Sequence, residues 1–245
     1  MFTRIVSLLE RQRRAHRFGI PYTRDKNWQP PSAFKINSAI VPLSLPHDRG
    51  TSLAIKDIFI SDVYGLETFK NPPNTVIDVG AHAGLFSLAA RAYFPRATIH
   101  AYEPNAALRP HLEANARAGS YSAFFSAMGS KRARAHLQYG EDSVFTQCVA
   151  NASGTIEIIP LHEAIDRIAP GGNLDLLKLD CEGAEWEIFQ DRAAMARVGR
   201  LTMEYHLTAS RSLDDFRSLL REIGFKIGFL HEDGETNGRV WASKP

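Results

Sequence analysis

From residue 75 to residue 223 the chain alternates short apolar runs with longer segments of helical spacing. TVIDVG (75–80), ATIHAYE (97–103) and SAFFSAM (122–128) read as strands, separated by helical segments at 85–94 and from Asn105 to about Ala118. LDLLKLD (174–180) and LTMEYHL (201–207) are further strands, with helices at 161–169, 182–195 and from Ser212 to Gly224. Ser212 with Asp215 three residues on marks a helix start, and Gly224 its end. Between them, RAHLQ and TIEIIP form a hairpin-like pair around a loop, and two last strands near 225–231 and 239–243 flank a turn. Such alternation predicts an α/β fold: a doubly wound, mostly parallel sheet with helices on both faces and an antiparallel strand allowed at the end. In open sheets of this kind ligands sit beyond the carboxyl ends of the strands.

Charge separates this body, 51–245, from what precedes it. Residues 1–27 carry seven Arg and Lys against two acids, a net of +5 in a chain of +2 overall, which leaves −3 for the rest. Phe2, Ile5, Val6, Leu8 and Leu9 can share one helical face, so residues 1–50 read as a basic, helical and irregular extension: a helix packed on the body with its arginines in solvent, or one that meets an acidic partner, nucleic acid or a membrane surface, then a Pro-rich connection. The arm is not a secretory signal, because its apolar stretch precedes its arginines. No apolar run approaches the roughly 18 residues of a membrane span. Cys148 and Cys181 are too few for a disulfide framework, so a reducing, cytoplasmic setting is expected.

The strand ends carry the chemistry. The first ends in Asp78-Val79-Gly80-Ala81-His82-Ala83-Gly84. The two glycines allow a tight turn and close approach of a ligand to a helix N-terminus. The spacing is not the Gly-x-Gly-x-x-Gly of dinucleotide sites, and Asp78 would repel a pyrophosphate while suiting an ammonium. The second strand ends in Glu103-Pro104-Asn105, with Glu103 at about the offset from which an acid takes a ribose hydroxyl. Ribose, ammonium and no phosphate together suggest S-adenosylmethionine. Asp180, Glu182 and Glu185 cluster after the fourth strand, and Glu204 and His206 share one face of the fifth. Asn71-Pro72-Pro73-Asn74 looks like an amino-methyltransferase motif, but it lacks the aromatic and precedes the first strand, so it reads as a loop.

VIDVGAHAGLFSLAA, AYEPN, LDLLKLDCEGAEWEIF and MEYH resemble, in order and spacing, the FkbM-type family of class I S-adenosylmethionine-dependent methyltransferases. The resemblance covers roughly residues 55–243, and KLDCEGAE is its most specific piece. It implies a seven-stranded, Rossmann-like sheet of order 3-2-1-4-5-7-6 and methyl transfer to a hydroxyl of a sugar, polyketide or other natural-product acceptor. It further implies that Asp78, Gly80, Ala81, His82 and Gly84 surround the methionine part of the cofactor. Glu103 would take the ribose, with Pro104 and Asn105 beside the adenosine and Ala127 and Met128 beside the adenine. Asp180 and Glu182 would sit where methyl meets acceptor.

A hydroxyl must lose its proton during attack to a base within about 3 Å. His206 is the first choice, since its unperturbed pKa of about 6.5 leaves it largely neutral. Glu204 would orient it or bind the acceptor, and Asp180 is the alternative base. Asp180, Glu204 and His206 are also the residues that would hold a divalent metal, a variant disfavoured for want of a tight ligand motif. The expected partner is a small-molecule or glycan hydroxyl acceptor, and a homodimer is allowed. Two other readings compete: an RNA ribose 2′-O-methyltransferase, opposed by the acidic body and the lack of a basic aromatic platform, and a non-catalytic cofactor-binding module. Acceptor choice is expected to depend on residues 20–70 and the 138–152 loop, with Trp28, Tyr64 and Phe145 as pocket candidates. The basic arm stands outside the catalytic scheme.

Overall fold

The computed structural model describes residues 8–21, 28–138 and 147–245. Phe2, Ile5 and Val6 of the arm, and Phe145, lie outside the described residues. The chain opens with α1 (Leu8–Arg17), a hairpin of β1 (Ala33–Ile36) and β2 (Ala39–Pro42), and α2 (Arg49–Ile55), which runs into a π-helical turn at Lys56–Ser61. Then come β3 (Thr75–Val79), α3 (Leu85–Tyr93), β4 (Thr98–Tyr102), α4 (Arg109–Gly119) and β5 (Ser122–Phe124). Four short strands follow, β6 (Ala127–Gly129), β7 (Ala133–Gln138), β8 (Gln147–Ala150) and β9 (Ile156–Pro160). The rest is α5 (Leu161–Ile168), β10 (Leu174–Leu179), α6 (Glu185–Ile188), α7 (Arg192–Ala196), β11 (Val198–His206), α8 (Leu213–Glu222), β12 (Lys226–Glu232) and β13 (Asn237–Ser243).

Seven strands form the central sheet in the order β12-β13-β11-β10-β3-β4-β5. Counted within that sheet and read from the β5 edge, this is 3-2-1-4-5-7-6, the order the resemblance implies. The five strands from β11 to β5 are parallel, and β13 runs antiparallel between β11 and β12. A second sheet, β6-β9-β7-β8, stands beside it; β7 and β9 are the antiparallel pair read from RAHLQ and TIEIIP, but the loop read between them holds a further strand, β8, paired with the other edge of β7.

Strand alternation divides the core. Val76 and Leu176 face one side, against α3 and against Phe18, Phe34 and Phe59; Ile77, Leu177 and Leu179 face the other, against α5 and α8. Pro110 sits in the first turn of α4, where its missing N–H costs nothing, and Ser212 and Asp215 make the expected reciprocal cap of α8.

Three expectations are corrected. The run at 122–128 is not one strand: it breaks after Phe124, so that β5 joins the central sheet and β6 the second. The helix read over 182–195 is two, because Glu182 and Gly183 take positive φ before α6, and Asp191 accepts from the Ala194 N–H to start α7. The arm exposes its leucines, and while Arg11, Arg13 and Arg17 are solvated as expected, Arg14 is not. Leu9 is 77% exposed, whereas Arg14 is 3% exposed, with Ala15 and Phe18 beside it in the core. The Pro-rich connection also holds order, the β1–β2 hairpin turning at Asn37 with φ 56°.

On the α8 face Phe216 is buried against the stacked ring of Tyr205, centroids 4.7 Å apart. Phe216→Ala is expected to cost about 3–5 kcal/mol in denaturant unfolding. A loss below about 1 kcal/mol would mean that this face of the sheet is not held by α8.

Candidate functional site

Strand register builds the site. Asp78 pairs with Lys178 and Val79 with Leu179, while Leu179 pairs with Met203, so Gly80, Asp180 and Glu204 come side by side at the carboxyl edge of β3, β10 and β11. On the next strand Arg239 pairs with Glu204. The β3 turn passes so close to the β10 turn that a Cβ on Gly80, whose φ is 72°, would stand 1.7 Å from the Asp180 carbonyl oxygen. Only glycine meets both demands.

A cavity of about 480 Å³ opens at this edge. On its β4 side the wall includes Gly80, Ala81, His82, Glu103 and Pro104, with Ala127 and Met128 of β6 adjoining. On its β10–β11 side it includes Asp180, Glu182 and Glu204, together with Tyr64, Asp57 and Arg239. Asp78, Gly84, Asn105 and His206 do not line it. Gly84 caps α3, and Asn105 caps the short helical turn after β4 by accepting from the Ala107 N–H.

Asp78 is wholly buried behind the turn. Its Oδ1 lies 3.1 Å from Lys178 Nζ, and its Oδ2 accepts a hydrogen bond from Ser87 Oγ at 2.7 Å. The expectation that this carboxylate itself faces a ligand ammonium therefore gives way to an internal ion pair. Lys178 Nζ also donates to the Gly80 carbonyl at 2.7 Å and stands 3.6 Å from Asp180 Oδ2. Burial alone would lower the Lys178 pKa, but Asp78 and Asp180 outweigh it and the net shift is upward. Lys178 escaped sequence reasoning because it sits inside the best apolar strand; its alignment with Asp78 exists only once the strands pair.

Glu103 is buried and accepts backbone N–H bonds from His82 and Asn105, each at 2.8 Å, which aim the carboxylate along the β3 turn. Burial raises its pKa despite those bonds. Burial also lowers His82 to about 4, so its imidazole is neutral at physiological pH.

The acid cluster is arranged around His206. Its Nδ1 lies 3.4 Å from Glu185 Oε1, and its Nε2 lies 3.7 Å from Glu182 Oε2 and 4.0 Å from Glu204 Oε1. Burial works to lower its pKa, but the three glutamates overcome it and raise it to about 9. His206 is thus an imidazolium behind the cavity wall, which corrects the expectation of a neutral histidine base. Burial and neighbouring Asp180 instead raise Glu182 to about 7, despite His206, and burial with Asp180 raises Glu204. Glu185, buried, accepts the N–H groups of Cys181 and Gly183 and so shapes the turn on which Glu182 sits with φ 54°. Asp180 Oδ2 accepts from the Tyr64 hydroxyl at 2.7 Å. Among the described residues no group of three or more His, Cys, Asp or Glu is disposed to hold a metal ion, and no helix is long and apolar enough to cross a membrane. Of the other pocket candidates, Tyr64 reaches the cavity and Trp28 is buried in the core.

The chain matches the family model described as the methyltransferase FkbM domain over residues 78–227. It is 28% identical over 250 aligned residues to the AMB antimetabolite synthetase AmbE of Pseudomonas aeruginosa, a match that takes in 80% of this chain and spans only 12% of that relative's length. Similar solved structures include a precorrin-6y C5,15-methyltransferase from Geobacter metallireducens (TM-score 0.49, 12% identity, 84% of this chain and 94% of that one). TehB from Haemophilus influenzae is another (TM-score 0.48, 10% identity, 76% and 62%).

The His206 cluster sets a pH dependence of stability. A group whose folded pKa lies above its unfolded value binds more protons when folded, so its stabilisation is full below about pH 6.5 and is lost as pH rises through about 9. Unfolding midpoints measured in denaturant are expected to fall between pH 6.5 and 9.5, and His206→Gln is expected to flatten that slope. An equally steep slope in the variant would show that the glutamates do not hold the imidazolium.

Proposed function

The chain belongs to the FkbM family of methyltransferases, and from that premise we propose that it moves a methyl group from S-adenosylmethionine to a hydroxyl oxygen of a sugar, polyketide or other natural-product acceptor. The residues of the cavity fit that cofactor: a buried carboxylate on the β4 side for a ribose, and a bank of carboxylates on the β10–β11 side for a cationic centre. Lys178 is taken up by Asp78 and so is not a free cation offered to a pyrophosphate at the β3 turn. When bound, the cofactor supplies an electrophilic methyl group on a sulfonium.

The protein's own groups do the rest. Glu103, pinned by two N–H donors, accepts from the ribose hydroxyls, and Gly80, Ala81, His82 and Pro104 lie along the nucleoside and methionine. Ala127 and Met128 cover the adenine. Asp180, held by Tyr64 and Lys178, sets its carboxylate beside the cationic end. The proton of the acceptor hydroxyl passes to a Glu182 carboxylate oxygen, because Glu182 lines the cavity and its pKa of about 7 suits a general base near neutral pH. Glu204 binds the acceptor beside it, and His206 stays protonated and holds both glutamates in place. Most of the acceleration comes from fixing nucleophile and methyl in line.

The observation that carries this reading is the meeting of Asp180, Glu182 and Glu204 on one wall of the cavity. The similarity to a stretch of an antimetabolite synthetase supports an acceptor of the natural-product kind.

Transfer of labelled methyl to a panel of sugars, polyketides and RNA tests it. Hydroxyl acceptors are expected to be labelled, with turnover rising as pH rises through about 7. Glu182→Gln is expected to lower turnover about 100-fold while S-adenosylhomocysteine still binds. Undiminished turnover in that variant removes Glu182 as the base, and labelling of RNA alone removes the acceptor class.

A further inference from the structure

We propose that Arg14, on the N-terminal helix, is a positioning residue of the transfer site, clamping the turn at residues 60–67 so that Tyr64 holds the Asp180 carboxylate in place. The proposal rests on the reading above for what Asp180 does; the clamp itself is a matter of geometry.

Arg14 is buried, and its guanidinium meets one short stretch of chain. Its Nε lies 2.9 Å from Glu67 Oε2, its Nη1 donates to the carbonyls of Ile60 (3.3 Å) and Ser61 (3.1 Å), and its Nη2 lies 3.9 Å from Asp62 Oδ2. Arg13 adds a second contact to Glu67 at 2.6 Å. The planar fork thus reaches both ends of a turn that the chain alone holds under strain. Asp62 lies at φ 53°, and its carboxylate accepts the N–H groups of Leu66 and Glu67.

The far side of that turn faces the site. Tyr64 donates its hydroxyl to Asp180 Oδ2 at 2.7 Å, and its carbonyl accepts from Thr202 Oγ1 of β11. The Val63 carbonyl accepts from Trp241 Nε1 of β13 at 2.7 Å. Next to it, Gly65 packs so tightly that a Cβ there would stand 2.7 Å from the Trp241 ring. The turn is therefore gripped by the sheet on one side and by Arg14 on the other, and Tyr64 stands between them. A shift of the turn away from β11 lengthens the Tyr64–Asp180 bond before it touches the β4 side, where the nucleoside lies.

The test compares two ligands that differ in one charge, S-adenosylmethionine with its sulfonium and S-adenosylhomocysteine with a neutral thioether, binding to the full chain by calorimetry. Asp180→Asn is expected to lower the preference for the charged ligand by about tenfold, and Tyr64→Phe and Arg14→Met by about threefold or more, with S-adenosylhomocysteine affinity held within about twofold. General loosening would weaken both ligands alike. The indole N–H resonance of Trp241, one of three in the protein, reports the turn directly and is expected to move in Arg14→Met. That of Trp186, which donates to the His206 carbonyl, is expected to stay. An unchanged ligand preference in folded Arg14→Met overturns the proposal. If the wild-type chain binds neither ligand, the functional reading fails on its own account and the indole decides the clamp: a moved Trp241 signal supports it, an unmoved one ends it. Should Arg14→Met not fold, Glu67→Gln loosens the same clamp from the more exposed partner and is judged by the same criteria.

Discussion

One buried ammonium ties together the two strand ends on which the site stands. Lys178 rises from β10 between Asp78 and Asp180 and donates to the Gly80 carbonyl, so a single group binds the side chain below the β3 turn, the backbone of that turn and the acid beyond β10. A charge taken out of water at this cost survives only with excellent geometry and further hydrogen bonds. Asp78 supplies the countercharge and Ser87 fills its other oxygen. The approach of Gly80 to the Asp180 carbonyl, too close for any Cβ, is the backbone counterpart of the same constraint. The β3 turn and the end of β10 are therefore one rigid unit, and neither can relax without moving the other.

Proton placement within that unit follows from crowding rather than from residue type. Three glutamates face one imidazole, and against its burial they hold the histidine's pKa up at about 9. Burial, with Asp180 and Glu204 beside it, raises Glu182 to about 7, although His206 pulls it the other way. In a coupled set like this the protons belong to the cluster, and a free-solution pKa is a poor guide to which member acts as base. A histidine reads as a base when met alone in a sequence, and as a counterion when the fold delivers three acids to it.

Much of the architecture was legible in residue patterns, because period and punctuation are local. The five parallel strands, the cap at Ser212 and the loop at Asn71–Asn74 all follow from runs of a few residues. The cavity residues around Gly80, Glu103, Asp180, Glu182 and Glu204 were legible too, since they stand directly at strand ends, where an open sheet binds ligands. Illegible were the contacts that need register or long loops. Lys178 lies inside an apolar strand, and only strand pairing brings Asp78 opposite it. Asp57 and Arg239, 182 residues apart and 3.1 Å from each other on the same wall, carry no motif at all. Tyr64 was one of three aromatics with equal claims, and only its bond to Asp180 sets it apart.

The arm shows why an amphipathic pattern can name the right element and the wrong face. Leu8 and Leu9 make α1 look like a helix docked by leucines, but what it meets is the end of a π-helical turn, whose last carbonyls have no partner of their own. Such a surface asks for donors, and an arginine with five N–H groups satisfies it better than a leucine can. Arg14 does so at Ile60 and Ser61, and Arg17 does the same for the Ala92 carbonyl while stacking on Tyr93. Of the basic run, Arg14 is buried on the protein's own carbonyls and carboxylates, while Arg13 and Arg17 reach Glu67 and the Ala92 carbonyl from exposed positions. Charge in a sequence records a demand for partners, and the fold decides whether that demand is met from outside or, as for Arg14, from within.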